Sequence, residues 1–192
     1  GTLHGESVVK GRSIFANRIG EEVASPLITL VDDPTDSRAY TAHEIDSEGL
    51  AARRNVLIKD GVLQMFVHSS YSARRMQAKS TGNGSGCMAL QLTPGTKTQE
   101  ELIAGIDEGV LIYSVQGLHS GVNPVSGDFS TGASGLMIRG GKIAEPVREF
   151  TIASTLQNML RNVVEIGGDV DWLPARAVGV SLVIEGITMS GA

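Results

Sequence analysis

Residues 55–68 read NVLIKDGVLQMFVH. Two apolar runs, NVLIK and VLQMFVH, flank Asp60-Gly61. Asp-Gly supplies the two positive-φ positions of a type I′ turn, whose twist matches the strands it joins. The stretch therefore reads as a β-hairpin. A second hairpin lies within 129–147, where GLMIR and KIAEPV turn over Gly140-Gly141. Upstream of the first hairpin, residues 27–31 (LITLV) form a short apolar run closed by Asp32-Asp33-Pro34, a strand with its turn. Downstream, residues 70–78 have helical composition with a Ser start, and STGNGSG after them is a loop.

The second half continues the pattern. Residues 98–108 open T-x-x-E, a capping box of Thr98 and Glu101, with Leu102, Ile103 and Ile106 on one face and Gly109 as the stop. Residues 110–115 read as a strand and 118–128 as a Gly/Pro/Ser loop. Ile152, Leu156, Met159, Leu160, Val163 and Ile166 recur at three- and four-residue steps, which predicts a core-facing helix ended by Gly167. Residues 177–184 and 186–189 supply the last strands. Strands outnumber helices and are joined by hairpins. The reading is an α+β fold with an antiparallel sheet, over a single domain spanning 1–192.

Composition narrows the functional classes. The 192 residues carry 16 Lys and Arg against 21 Asp and Glu, a net charge of −5. The sequence pI near 5.4 argues against a grip on duplex DNA, which needs a positive field to displace counterions. Arg53-Arg54 and Arg74-Arg75 are basic pairs with Tyr71 as the one aromatic nearby, so no nucleic-acid partner is expected. No apolar run approaches the roughly 20 residues of a membrane span, and a lone cysteine forms no internal disulfide. These features suggest a soluble cytoplasmic protein with no membrane partner. Glycine is 24 of 192, well above the usual share of about 7%, and marks turns between apolar runs. The chain opens Gly1-Thr2-Leu3-His4 without an initiator Met, as a piece of a longer protein would.

No self-contained active site stands out. The histidines are His4, His43, His68 and His119, and no pair has the three- or four-residue spacing that sets two imidazoles on one metal. His68 and His119 read as surface or strand-end residues. His43-Glu44 with Asp46 and Glu48 (HEIDSE) is a hard-cation candidate, although acidic runs of this kind usually lie in solvated loops. Neither Ser85 nor Ser134 has the flanking glycines of a nucleophile elbow. Cys87, in a glycine loop, is a candidate thiol. The run 135–142 approaches P-loop spacing, but Gly141 takes the lysine position and Ile143 follows Lys142, so a hairpin turn fits better.

Five segments in order carry a resemblance: GRSIFANRIGEEVASPLITLVDD, IDSEGLAARRNVLIKDGVL, SYSARRMQAKSTGNG, VNPVSGDFSTGASGLMIRGGKIAEPVREFTIASTLQNMLRNVVEIGGD and VSLVIEGITMSG. The chain from about residue 6 to 191 resembles the C-terminal domain of the TldD/PmbA family, metalloprotease-related proteins once called modulators of DNA gyrase. The SYSARR-x-x-x-x-STG and SGDFSTGASG patterns resemble its PmbA/TldE branch. Between Ile166 and Val180 the chain reads IGGDVDWLPARAVGV, without the cysteine that serves TldD-like members as a metal ligand.

The resemblance implies a large, twisted, mainly antiparallel sheet with a few helices. It implies a non-catalytic part of a zinc-dependent complex that cuts unfolded peptides. Zinc would sit only in a TldD-like partner subunit, with no cofactor in this chain, and a homodimer would form when that partner is absent. Segments matching the family's motifs, rich in glycine and small polar residues, would line the peptide groove: Asp46, Glu48 and Gly49; Ser80, Thr81, Gly82, Asn83 and Gly84; and Ser126, Gly127, Asp128 and Phe129. Asn83 would offer a donor and an acceptor to a peptide group. Two other readings stay open: a purely architectural dimerisation domain, and an independent hydrolase using Cys87 or the His43/Glu44/Asp46/Glu48 cluster.

Overall fold

The structure, a computed structural model, describes residues 1–191. Helix α1 (Gly5–Val9) is capped by His4, whose imidazole accepts from the Glu6 amide. The strands β1 (Leu30–Asp32), β2 (Asn55–Lys59) and β3 (Val62–Leu63) follow. Asp60 and Gly61 stand at φ 49° and 80° between β2 and β3, as the Asp-Gly turn requires. Glycine is needed at 61 for a second reason: a Cβ there would lie 2.5 Å from the Ala24 carbonyl oxygen. Helix α2 (Ser70–Arg75) carries a Ser69 cap, and β4 (Leu90–Leu92) pairs with β1. The first sheet has the order β3-β2-β1-β4.

Helix α3 (Gln99–Ala104) starts with the expected Thr98–Glu101 capping box, but it ends at Gly105 rather than Gly109. Residues 108 and 109 are instead taken into β5 (Glu108–Gln116), which pairs along β6 (Asp128–Arg139). The intervening loop holds one helical turn, α4 (Leu118–Gly121). Strands β6 and β7 (Lys142–Thr155) make the long second hairpin over Gly140 and Gly141, both at positive φ. Helix α5 (Leu156–Arg161), β8 (Val163–Ile166), β9 (Leu182–Ile184) and β10 (Thr188–Ser190) complete the chain. The second sheet runs β10-β7-β6-β5, and β8 with β9 forms a small third one. Every strand pairing is antiparallel, and the α+β class holds.

The helix predicted from the stripe 152–166 is a correction. The stripe splits into the end of β7, six helical residues and β8. Thr151 to Thr155 are registered against Gly132 to Asp128 of β6, and Val163 to Ile166 find β9. Tertiary pairing of β-branched residues overrides a periodicity that local sequence shares with a helix.

Two apolar clusters fix these layers. Phe15, Val23, Ile28, Ile58, Leu63, Phe66 and Val163 form the larger, with Leu160, Ile166 and Ile184 from the α5–β9 region packed against it. Each large side chain removed from water there contributes about 1.5–3 kcal/mol. Ala133, Phe150 and Ile152 make the smaller cluster inside the second sheet.

Candidate functional site

The C-terminal end of β1 delivers Asp32, fully buried, opposite Asn55 at the start of β2. The loop after α2 lays Asn83 between them. Asn83 Nδ2 donates to Asp32 Oδ2 at 2.6 Å, while Asn83 Oδ1 accepts from Asn55 Nδ2 at 3.0 Å and Thr81 Oγ1 at 2.7 Å. The amides of Met88 and Ala89 close on Asp32 Oδ1 at 2.9 and 2.8 Å. Thr81 Oγ1 in turn accepts from the His68 amide at 2.8 Å. A buried carboxylate thus ties the loop to the sheet through a satisfied polar network, which stabilises one loop conformation.

A second carboxylate organises the other wall. Asp46 Oδ1 accepts from the Glu48 and Leu50 amides, and Oδ2 from the Gly84 amide, each at 2.9 Å. Burial pushes its acidity toward the neutral form, but those three amides outweigh it, and His43 adds to them; the carboxyl is held below its ordinary value. Glu48 Oε2 caps α2 through the Ser70 amide at 2.7 Å. Between these walls lies an open cleft of about 320 Å³, lined by Thr41, Ala42, His43, Ile45, Asp46, Ser47, Asn83, Ser85, Gly86 and Met88.

Of the twelve predicted groove residues, Asp46 and Asn83 line this cleft. Thr81 and Gly82 lie behind it, buried, and Gly82, at φ 74°, abuts the Ala51 carbonyl. Glu48, Gly49, Ser80 and Gly84 flank these segments, Ser80 donating to the His68 carbonyl. The expectation that the Asn83 amide is free for a peptide group does not hold. Asn83 is 2% exposed and its side chain is consumed by Asp32, Asn55 and Thr81. Ser126 and Gly127 sit elsewhere, in the turn into β6, and Asp128 and Phe129 are the first two residues of that strand. Ser126 Oγ meets Asp128 Oδ2 at 2.6 Å, and Gln157 of α5 packs over Gly127. No hydrogen bond joins that turn to the cleft among the described residues.

Local sequence gave no sign of Asp32, Asn55 and His68. Asp32 reads as part of a turn and Asn55 as a strand end. His68, read as a surface or strand-end residue, directly follows Val67, which bridges to His4, and is 7% exposed, because Gly5 of α1 leaves room for its ring. Its Nδ1 lies 3.2 Å from Ser72 Oγ. Ser72 is fully buried beneath α1, so this Ser–His pair has no access to a substrate. Burial lowers the pKa of His68, with His4 adding to the effect; burial also lowers that of His4, against the opposing influence of Glu6. Burial, reinforced by Asp32, pushes the Cys87 thiol up to about 12, the reverse of an activated nucleophile.

The described residues bring together no ligand set for a zinc ion. Among the described residues no three His, Cys, Asp or Glu side chains come together as ligands. His43 donates Nδ1–H to the Thr41 carbonyl at 2.8 Å, and its neighbour Asp46 is already saturated by amides. The segment between Ile166 and Val180 closes on itself instead, the Asp171 amide donating to the Gly179 carbonyl at 2.9 Å and the Gly179 amide to the Asp171 carbonyl at 2.8 Å. Trp172 from that segment receives the Arg38 guanidinium on its ring, 4.6 Å from the centroid, and Arg38 is paired with Asp36 at 2.8 Å. No described helix is long and apolar enough to cross a membrane.

Comparison with known proteins is consistent with this geometry. The family model of the PmbA/TldA metallopeptidase C-terminal domain matches residues 1–191. The metalloprotease PmbA of Escherichia coli O157:H7 is 31% identical over 171 residues, covering 89% of this chain and 38% of that protein. A metalloprotease TldD homolog of Buchnera aphidicola subsp. Acyrthosiphon pisum is 32% identical over 178 residues, covering 87% and 36%. A Thermotoga maritima protein described as a candidate modulator of a DNA gyrase superposes with a TM-score of 0.94 at 32% identity, over 98% of this chain and 45% of that one. TldE from Thermococcus kodakarensis gives 0.88 at 28% identity, over 99% and 46%. The chain spans less than half the length of each.

Proposed function

The chain belongs to the PmbA/TldD metallopeptidase family as a C-terminal domain, and from that premise we propose that it is the non-catalytic, TldE-like part of a zinc-dependent peptidase complex acting on unfolded peptides. The observation that carries this reading is the segment 167–179. It holds no cysteine and is closed by the Asp171–Gly179 pair and the Arg38–Trp172 stack. A TldD-like subunit supplies the metal; this chain supplies the cleft walled by the Asp46 turn and the Asn83 loop. Extended peptides need no basic surface, since main-chain hydrogen bonds and small pockets can hold them. The complex works in the cytoplasm, and the isolated chain pairs with itself when its partner is absent.

The test is peptide hydrolysis by the chain alone, by a TldD-like subunit alone, and by the two mixed. Turnover that rises only on mixing supports the reading. Turnover by the chain alone, or zinc retained by it at one per chain after dialysis, refutes it. A mixture that forms a complex without any gain in turnover leaves the purely architectural role.

A further inference from the structure

The chain holds six asparagines, and only Asn83 is followed by glycine. A glycine has no Cβ to keep its amide nitrogen away from the preceding side chain, so an Asn-Gly pair is prone to close on itself. The closure has a definite balance. The Gly84 amide nitrogen loses its proton and bonds to Asn83 Cγ, while the Cγ–Nδ2 bond breaks and ammonia departs with that proton. Water then opens the resulting succinimide at either carbonyl, leaving an aspartyl or an isoaspartyl residue at 83. No electrons are gained or lost.

Two hydrogen bonds must break for this to happen, and the fold sets a carboxylate on each. The Gly84 N–H that must be lost donates to Asp46 Oδ2 at 2.9 Å, and the Nδ2 that must leave donates to Asp32 Oδ2 at 2.6 Å. An amide anion forming against Asp46 would meet a like charge at hydrogen-bond distance. Asn83 is 2% exposed, so the water that the second step consumes is kept out as well. The other end of the amide is the reverse. Asn55 Nδ2 and Thr81 Oγ1 both donate to Asn83 Oδ1, which draws electrons away from Cγ. The carbonyl is polarised for attack, and the two nitrogens are held from it.

We propose that Asn83–Gly84 is a self-modification site locked by Asp46 and Asp32, and that opening of its loop converts it irreversibly. After conversion an acidic oxygen stands where the Nδ2 donor met buried Asp32, and two ionised carboxylates repel at that distance. The isoaspartyl product also adds a methylene to the backbone. Neither product rebuilds the wall that Asn83 gives the cleft, so one excursion retires the chain. The proposal is independent of what occupies the cleft.

Peptide mapping by mass spectrometry of the 192-residue chain, aged in mildly alkaline buffer, tests this by reading position 83 alone. The parent is expected to convert at least about a hundredfold faster in urea above its unfolding transition than in native buffer, where the rate is limited by rare opening of the loop. Asp46→Asn keeps an oxygen for the Glu48 and Leu50 amides but turns an NH2 toward the Gly84 amide. With a thermal midpoint that shows it folded, this variant is expected to convert at least about tenfold faster than the parent in native buffer. Converted parent, separated by its extra negative charge, is expected to melt lower and to be nicked by protease within 80–86. Equal rates in native buffer and urea overturn the lock, and that comparison needs no variant. A folded Asp46→Asn that converts no faster than the parent overturns the role of Asp46. Converted chain with the parent's midpoint and protease resistance overturns the irreversibility.

Discussion

Replacing Asn83 by alanine tests whether the polar network, rather than the loop's surface, is what this residue serves. The substitution removes the acceptor for Asn55 Nδ2 and Thr81 Oγ1, at 3.0 and 2.7 Å, and the donor to Asp32 Oδ2 at 2.6 Å. Each neutral bond is worth about 1 kcal/mol, and one to a carboxylate about 1.5–3 kcal/mol. Asp32 is fully buried, so water cannot take the amide's place without opening the loop. The expected loss is about 4 kcal/mol, a large fraction of the roughly 5–15 kcal/mol that holds a domain together. For a chain of this size that lowers the melting temperature by about 8–16 °C. Thermal or urea unfolding followed by circular dichroism reads it, with Ser85→Ala on the exposed side of the same loop as a control expected within about 0.5 kcal/mol. In the reconstituted pair, turnover should fall in step with the folded fraction. A loss under about 1 kcal/mol, or a turnover defect in a fully folded variant, would refute the assignment of Asn83 to the scaffold.

Stability should also report the two depressed histidines. The folded chain holds His4 and His68 below 6.5, so between those values and 6.5 the unfolded chain binds more protons, and stability rises with pH. Their contribution is complete above about 6.5 and is lost as pH falls through the depressed values; equal urea midpoints at about pH 5 and pH 7.5 would contradict this. Asp46→Ala should cost about 3 kcal/mol by releasing the amides of Glu48, Leu50 and Gly84, visible as proteolytic nicking near residue 84. Cys87, pushed up to about 12, should resist thiol reagents at neutral pH in the folded chain and react on adding denaturant; rapid native labelling would count against it.

What the sequence by itself determined is what depends on neighbours along the chain. Asp60-Gly61 and Gly140-Gly141 announce their hairpins because positive φ is a local demand, and all four stand at φ between 49° and 80°. Thr98 and Glu101 announce a helix start because a capping box closes within one turn. The alternation of hairpins with short helices was enough for the α+β class, and the ordered motifs were enough for the family. Tertiary structure decided the rest. Residues 152–155 and 163–166 are strands because β6 and β9 lie beside them, whatever their periodicity. His68 is interior because a glycine 63 positions earlier leaves space for its ring. The site divides in the same way. Asp46 and Asn83 were legible as polar residues at glycine turns, and they do wall one cleft. Their roles were not, since Asn83 is spent on Asp32, 51 residues away in sequence, and Asp46 on Gly84, 38 away. A side chain's free hydrogen-bonding capacity is what remains after such long-range partners are satisfied, and only the folded chain performs that subtraction.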